Sequence, residues 1–230
     1  MKKIFFLTAD EYLVLMAGKG VPFFYGLSDG GNGPDEAAVC LAMAHLYQTG
    51  LIGSDGESFS VQQELDGLLE QIRQAEYAWL IRSGRDEDKV VCYYECENAY
   101  AAVALSDAEK NTWKITRTDA AQIMQRIRTG MDEKLLYRPV LEEEELYQSI
   151  IQSKESVKKE DIRKYRNFAV VAEKISAKDG DVRKRLLVRM TPDGARIDMQ
   201  ERQKMLRQDE ACVEETEKYA LEWFMGGTEK

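Results

Sequence analysis

The residues able to do chemistry are few. There is one histidine, His45, and four cysteines, Cys40, Cys92, Cys96 and Cys212. A hydrolase triad or a typical zinc site needs histidine beside partner side chains, and the sequence around His45 offers none. His45 lies beside Met43 and Leu46 in a very apolar stretch, so it is expected to be a packed or half-buried histidine. Cys92 and Cys96 fall in Lys89 to Cys96 (KVVCYYEC), which reads as a strand. Four residues along a strand they share a face but stand about 13 Å apart. That is too far for a disulfide or a shared metal, so both are expected to act as small apolar residues.

Gly30-Gly31-Asn32-Gly33-Pro34-Asp35 precedes a helix, where a phosphate would meet free N–H groups. The Lys-Ser/Thr of a P-loop is missing, Pro34 removes a donor, and Asp35 and Glu36 repel an anion, so a flexible loop is expected. Glu142 to Glu145 is an acidic run suited to a helix first turn rather than to a metal. The 41 Asp and Glu residues make carboxylate pairs inevitable by chance, and none has a context that marks a tuned acid and base. No catalytic residue, metal ligand or cofactor-binding residue is therefore assigned.

The elements that would position any site are clearer. Ile4 to Leu7 reads as a short strand. Thr8 then caps a helix from Ala9 to Ala17, with Glu11 at the capping-box position. Ala37 to Tyr47 is apolar on nearly every side, so that helix is expected to be buried on several faces. Leu51 to Val61 reads as a hairpin around Gly53-Ser54-Asp55-Gly56. Leu65, Leu68, Leu69 and Ile72 have helical spacing. Strands follow at Tyr77 to Arg82, Lys89 to Cys96 and Ala99 to Leu105, with Thr112 to Thr116 a fourth. Thr118 is expected to cap a helix striped by Ala120, Ile123, Met124 and Ile127 and ended by Gly130.

After a helical connector, strands at Phe168 to Glu173, Arg185 to Met190 and Ala195 to Asp198 lead to a helix striped by Val213, Thr216, Tyr219, Ala220, Trp223 and Phe224. The order strand, strand, strand, helix thus occurs twice. The expected fold is α+β: an antiparallel sheet built from two pseudo-two-fold related β-β-β-α units with flanking helices. The division expected is residues 1–130, a helical segment plus the first half, and residues 131–230, a connector plus the second, packed as one compact unit.

Charge and composition limit the partners. In 230 residues, 41 acidic face 32 basic side chains, a formal charge of −9, which argues against a dedicated nucleic-acid-binding protein. The stretch from Lys154 to Arg207 is locally basic, 16 against 9, with basic residues alternating with apolar ones as on a solvated sheet face. Residues 1–62 have parts of a winged helix but no basic recognition surface, so DNA readout is not expected. Ile4-Phe5-Phe6-Leu7 is cut short by Thr8, Asp10 and Glu11, unlike an export segment. No window reaches the roughly 18 apolar residues of a membrane span. The cytoplasm is the expected compartment.

Two segments carry a family resemblance. Leu7-Thr8-Ala9-Asp10-Glu11-Tyr12-Leu13-Val14-Leu15 and Leu46-Tyr47-Gln48-Thr49-Gly50-Leu51-Ile52 resemble the opening helix and the second helix of EspG-type chaperones of type VII (ESX) secretion. The Leu65–Ile72 helix, the Trp79–Arg82 strand and the paired strand halves continue the same order. The resemblance implies a non-enzymatic chaperone or adaptor that binds small helical-hairpin secretion substrates, with no cofactor. Seven Phe, eleven Tyr, three Trp and nine Met residues supply adaptable contact surface. Tyr93, Tyr94 and Trp113 are the partner-binding candidates. Two other readings stand beside this one: a small enzyme built on carboxylates, and an oligomeric structural protein.

Overall fold

The structure, a computed structural model, describes residues 3–21, 34–83, 90–97, 99–106, 112–132, 148–150, 152–153, 155–157, 168–191, 194–201, 204–211 and 218. The chain divides into two compact units. One comprises Met1–Glu76 and Val91–Thr118, the other Tyr77–Val90 and Asp119–Lys230. The grouping follows contacts rather than chain order.

In the first unit, β1 (Ile4–Thr8) runs straight into α1 (Ala9–Gly18). The junction is a capping box: Thr8 Oγ1 accepts from the Glu11 N–H (3.2 Å), and the Thr8 N–H donates to Glu11 Oε2 (2.7 Å). Next come α2 (Glu36–Gln48), a hairpin of β2 (Ile52–Ser54) and β3 (Phe59–Val61), and α3 (Gln63–Gln74). α3 buries Leu65, Leu68, Leu69 and Ile72, as their spacing requires. It packs on β5 (Val91–Cys96), β6 (Ala99–Leu105) and β7 (Thr112–Thr118). These strands and β1 form an antiparallel sheet in the order β1-β7-β6-β5. Leu7, Tyr12, Met16, Leu65, Leu69, Val103 and Ile115 are among its most buried side chains.

The second unit contains β4 (Tyr77–Ser83), α4 (Ala120–Asp132), β8 (Phe168–Ser176), β9 (Val182–Thr191), β10 (Gly194–Glu201) and β11 (Lys204–Ala211). Its strands are antiparallel in the order β4-β8-β9-β10-β11. α4 lays Ile123 and Ile127, both fully buried, against β4 and β8. The class is α+β with antiparallel strands, as expected.

Four local expectations need correction. Asp119, not Thr118, caps α4: its Oδ1 accepts from the Gln122 N–H (3.0 Å), while Thr118 is buried at the end of β7. α4 also continues through Gly130 to Asp132. The second run of strands has a fourth member, β11, paired to β10 from Ala195↔Ala211 to Glu201↔Lys204 with a bulge between Met199 and Gln200. Its sequence, KMLRQDEA, is poor in β-formers. α2 is not buried on several faces, for only Ala42 and Leu46 are buried. Expectations for the loop at 26–33, the acidic run at 142–145 and the helix from Val213 fall outside the described residues, as does most of the connector.

Candidate functional site

The three candidate contact residues lie in the first unit. Tyr93 and Tyr94 are adjacent on β5, so their side chains leave opposite faces of the strand, and both are buried. Trp113 on β7 is half-buried. The tyrosines therefore offer no open surface. Tyr94 sits against Tyr12 of α1 and beside Cys92, and burial pushes both phenols well above their usual value of 10.0.

The exposed apolar surface lies instead on α2. Around Ala42 and Leu46, which face inward, the helix presents Ala37, Cys40, Leu41, Ala44 and Tyr47. Leu41 is 72% exposed and Tyr47 57%. Residues 37, 40, 41 and 44 follow helical i, i+3, i+4, i+7 spacing, so they form one stripe. In the same unit Phe59, on the hairpin, is 64% exposed. On β1 the alternation puts Phe5 and Leu7 inside and leaves Ile4 and Phe6 outside. The stripe and these side chains leave apolar surface exposed on the first unit.

His45 orients this helix. Its ring is exposed, where a packed or half-buried position was expected, and Nδ1 meets Glu11 Oε1. Glu11 is itself buried, so one carboxylate closes the cap of α1 through Oε2 and holds α2 through Oε1. Sequence reasoning identified the cap but could not place a residue 34 positions away beside it. Among the described residues, no hydroxyl or thiol hydrogen-bonds the remaining ring nitrogen, so the pair lacks the nucleophile of a triad. No three His, Cys, Asp or Glu residues among those described gather as a metal site.

The first unit also has a cleft of about 750 Å³ at the C-terminal end of α3. Gln71 and Gln74 line it from the helix, Glu95, Cys96 and Glu97 from β5 and the turn after it, and Arg117 from β7. Cys96 is half-buried, and burial pushes its thiol above the usual 9.0.

In the second unit, part of the basic stretch is buried rather than solvated. Cross-strand register aligns Leu80, Glu173, Arg185 and Gln200 in one row over β4, β8, β9 and β10. Glu173 is fully buried and accepts from Arg185 Nε (2.7 Å), Arg82 Nη1 (3.3 Å), Ser156 Oγ (2.6 Å) and the Val157 N–H (3.0 Å). Arg185 also donates to the carbonyls of Ile150, Ser153 and Glu155. This ionic knot fastens the connector segment to the sheet. It is a structural device, closed by protein groups on every side of the carboxylate.

No family model matches the sequence, and no curated protein does. Among solved structures, the chain is similar to the Mycobacterium tuberculosis type VII secretion system chaperone EspG5, solved in complex with a PE25–PPE41 dimer. The TM-score is 0.55 over 94% of this chain and 93% of that one. The likeness is one of fold. Sequence identity is 13%, so no residue of EspG5 is carried over. The resemblance read in the opening helix and in the Leu46–Ile52 segment is thus met at the level of architecture. No described helix is long and apolar enough to cross a membrane.

Proposed function

We propose that this chain is a non-enzymatic chaperone or adaptor that binds a helical protein client of a type VII secretion system in the cytoplasm. The observation that carries the reading is the fold likeness to a secretion chaperone over nearly the full length of both chains. The exposed stripe of α2 supports it independently. Complete burial of a leucine or an aromatic ring stabilises by about 1.5–3 kcal/mol before the costs of association. Leu41, Tyr47 and Phe59 hold most of that stabilisation in reserve while they face water. A client helix laying its own apolar face on α2 would release it, and the client would stay soluble because its sticky face is covered.

The test is co-expression with small helical-hairpin substrates of type VII secretion, followed by size exclusion with light scattering. A stoichiometric complex that keeps the client soluble, and that is lost with Leu41→Glu, is expected. A client equally soluble without the chaperone, or a chain that stays alone with every such protein, would overturn the proposal. Turnover of a substrate abolished by changing one carboxylate would favour the enzyme reading instead.

A further inference from the structure

The contact between Glu11 and His45 ties α1 to α2, but its strength depends on a proton. We infer that it is a pH-responsive latch, tight while the imidazole is protonated and slack once the proton is lost.

Glu11 is a buried carboxylate without a permanent counter-charge. Its Oε2 takes the Thr8 N–H, a neutral donor, and its Oε1 meets His45 Nδ1. The lysines that flank β1 and α1 are committed elsewhere, Lys3 to Glu64 and Lys19 to Asp66 and Glu70. A buried charge left unpaired is costly, so the one cation within reach matters. A hydrogen bond between ionised groups is about twice as strong as a neutral one. Histidine is the side chain that ordinarily changes charge between about pH 5 and 8. The ring is exposed, so water can deliver and remove the proton. His45 also lies in the last turn of α2, where the negative end of the helix dipole attracts the same charge.

The surroundings leave Glu11 as the group that answers this proton. α2 packs on α1 and β2. β2 carries no ionisable side chain. α1 carries Asp10, Glu11 and Tyr12; Asp10 is exposed and forms no ion pair with the ring, and Tyr12 is buried against Tyr94. On α2 itself Glu36, Cys40 and Tyr47 are exposed, and none bonds to the ring. Among the described residues, Glu11 is the only hydrogen-bonded or ionic partner of the imidazole. His45 is also the only histidine of the chain, so one side chain can be held responsible for a response in this range. Because α2 carries the exposed apolar stripe, the latch would set how firmly that face is held.

The test is hydrogen exchange read by mass spectrometry on the full chain at about pH 5.5 and about pH 8, with each rate corrected for the intrinsic effect of pH. Protection of α2 should be at least about threefold greater at the lower pH. His45→Gln keeps a neutral donor and removes the titrating group. Glu11→Gln keeps an acceptor for the Thr8 N–H and removes the charge. The pH response of α2 should vanish in both. Equal protection of wild-type α2 at the two pH values would overturn the inference by itself, even if a variant failed to fold. So would a response that persists in His45→Gln, or one shared equally by β8, β9 and β10. No client enters the experiment, so this inference and the proposed function fail separately.

Discussion

Glu173→Gln is the sharpest perturbation of the second unit. The substitution keeps size and shape and removes one negative charge. Two buried guanidiniums, Arg82 and Arg185, then share no counter-charge at this position. Removing one partner of a buried ion pair costs about 3–5 kcal/mol, because the survivor cannot return to water. Arg185 keeps its carbonyl acceptors at Ile150, Ser153 and Glu155, which cushions its share. Among the described residues Arg82 has no such set of acceptors, and its Nε is already buried without a partner. The sum stays inside the quoted range.

With a urea slope of up to about 3 kcal/mol per molar, that cost moves the unfolding midpoint down by at least about 1 M. Hydrogen exchange read by mass spectrometry localises the effect. The Val157 N–H donates to Glu173, so segment 155–157 should lose protection first. Arg185→Met should free the same segment by a different route, releasing three carbonyls at once. The two changes share one network, so their double variant should cost less than the sum of the singles. A midpoint shift below about 0.3 M for Glu173→Gln, with protection of 155–157 intact, would refute the claim that the knot holds the connector.

The other predictions concern the first unit. Leu41→Glu on the exposed side of α2 should change stability by no more than about 0.5 kcal/mol, whereas Leu46→Ala on its buried side should cost about 2–5 kcal/mol; thermal and urea unfolding separate them. Thr8→Ala removes the acceptor for the Glu11 N–H and should cost about 1 kcal/mol in the same assay. On α3, the hydrogen bonds from Arg73 hold the Glu70 carboxyl down from 4.5 to about 2. Its folded value lies below its unfolded one, so its contribution is complete above pH 4.5 and is lost as pH falls through about 2. Both side chains are exposed, so the effect is small and fades with salt; a carbon-detected titration of Glu70 reads the midpoint directly.

What the sequence displays and what it hides follow from how local each interaction is. The capping box at Thr8 and Glu11 spans three residues, and the stripe of Leu65, Leu68, Leu69 and Ile72 spans two turns, so each can be read from spacing alone. The row from Leu80 to Gln200 cannot. Arg185 and Glu173 alternate with apolar neighbours just as half-solvated strand residues do, and only the register between strands places one beside the other. β11 is hidden for a related reason. Among the described residues it pairs with β10 alone, and edge strands tolerate the charged residues that spoil a propensity argument.

The α2 helix fails differently, and more usefully. Apolar residues on every side report an aversion to water, but they do not say which neighbour will relieve it. Reading Ala37 to Tyr47 as a buried helix assumes that the neighbour belongs to the same chain. The folded chain shelters only Ala42 and Leu46 and leaves Leu41 and Tyr47 in solvent. The same assumption bears on Tyr93 and Tyr94, conspicuous aromatics that the folded chain covers by itself. A side chain whose aversion is met internally contributes to stability, and one whose aversion is not met is available to a partner. By that criterion Leu41 and Tyr47 are open to a partner where the tyrosines of β5 are not, and under the proposed function the mismatch between an apolar helix and its half-exposed position is what the client would relieve.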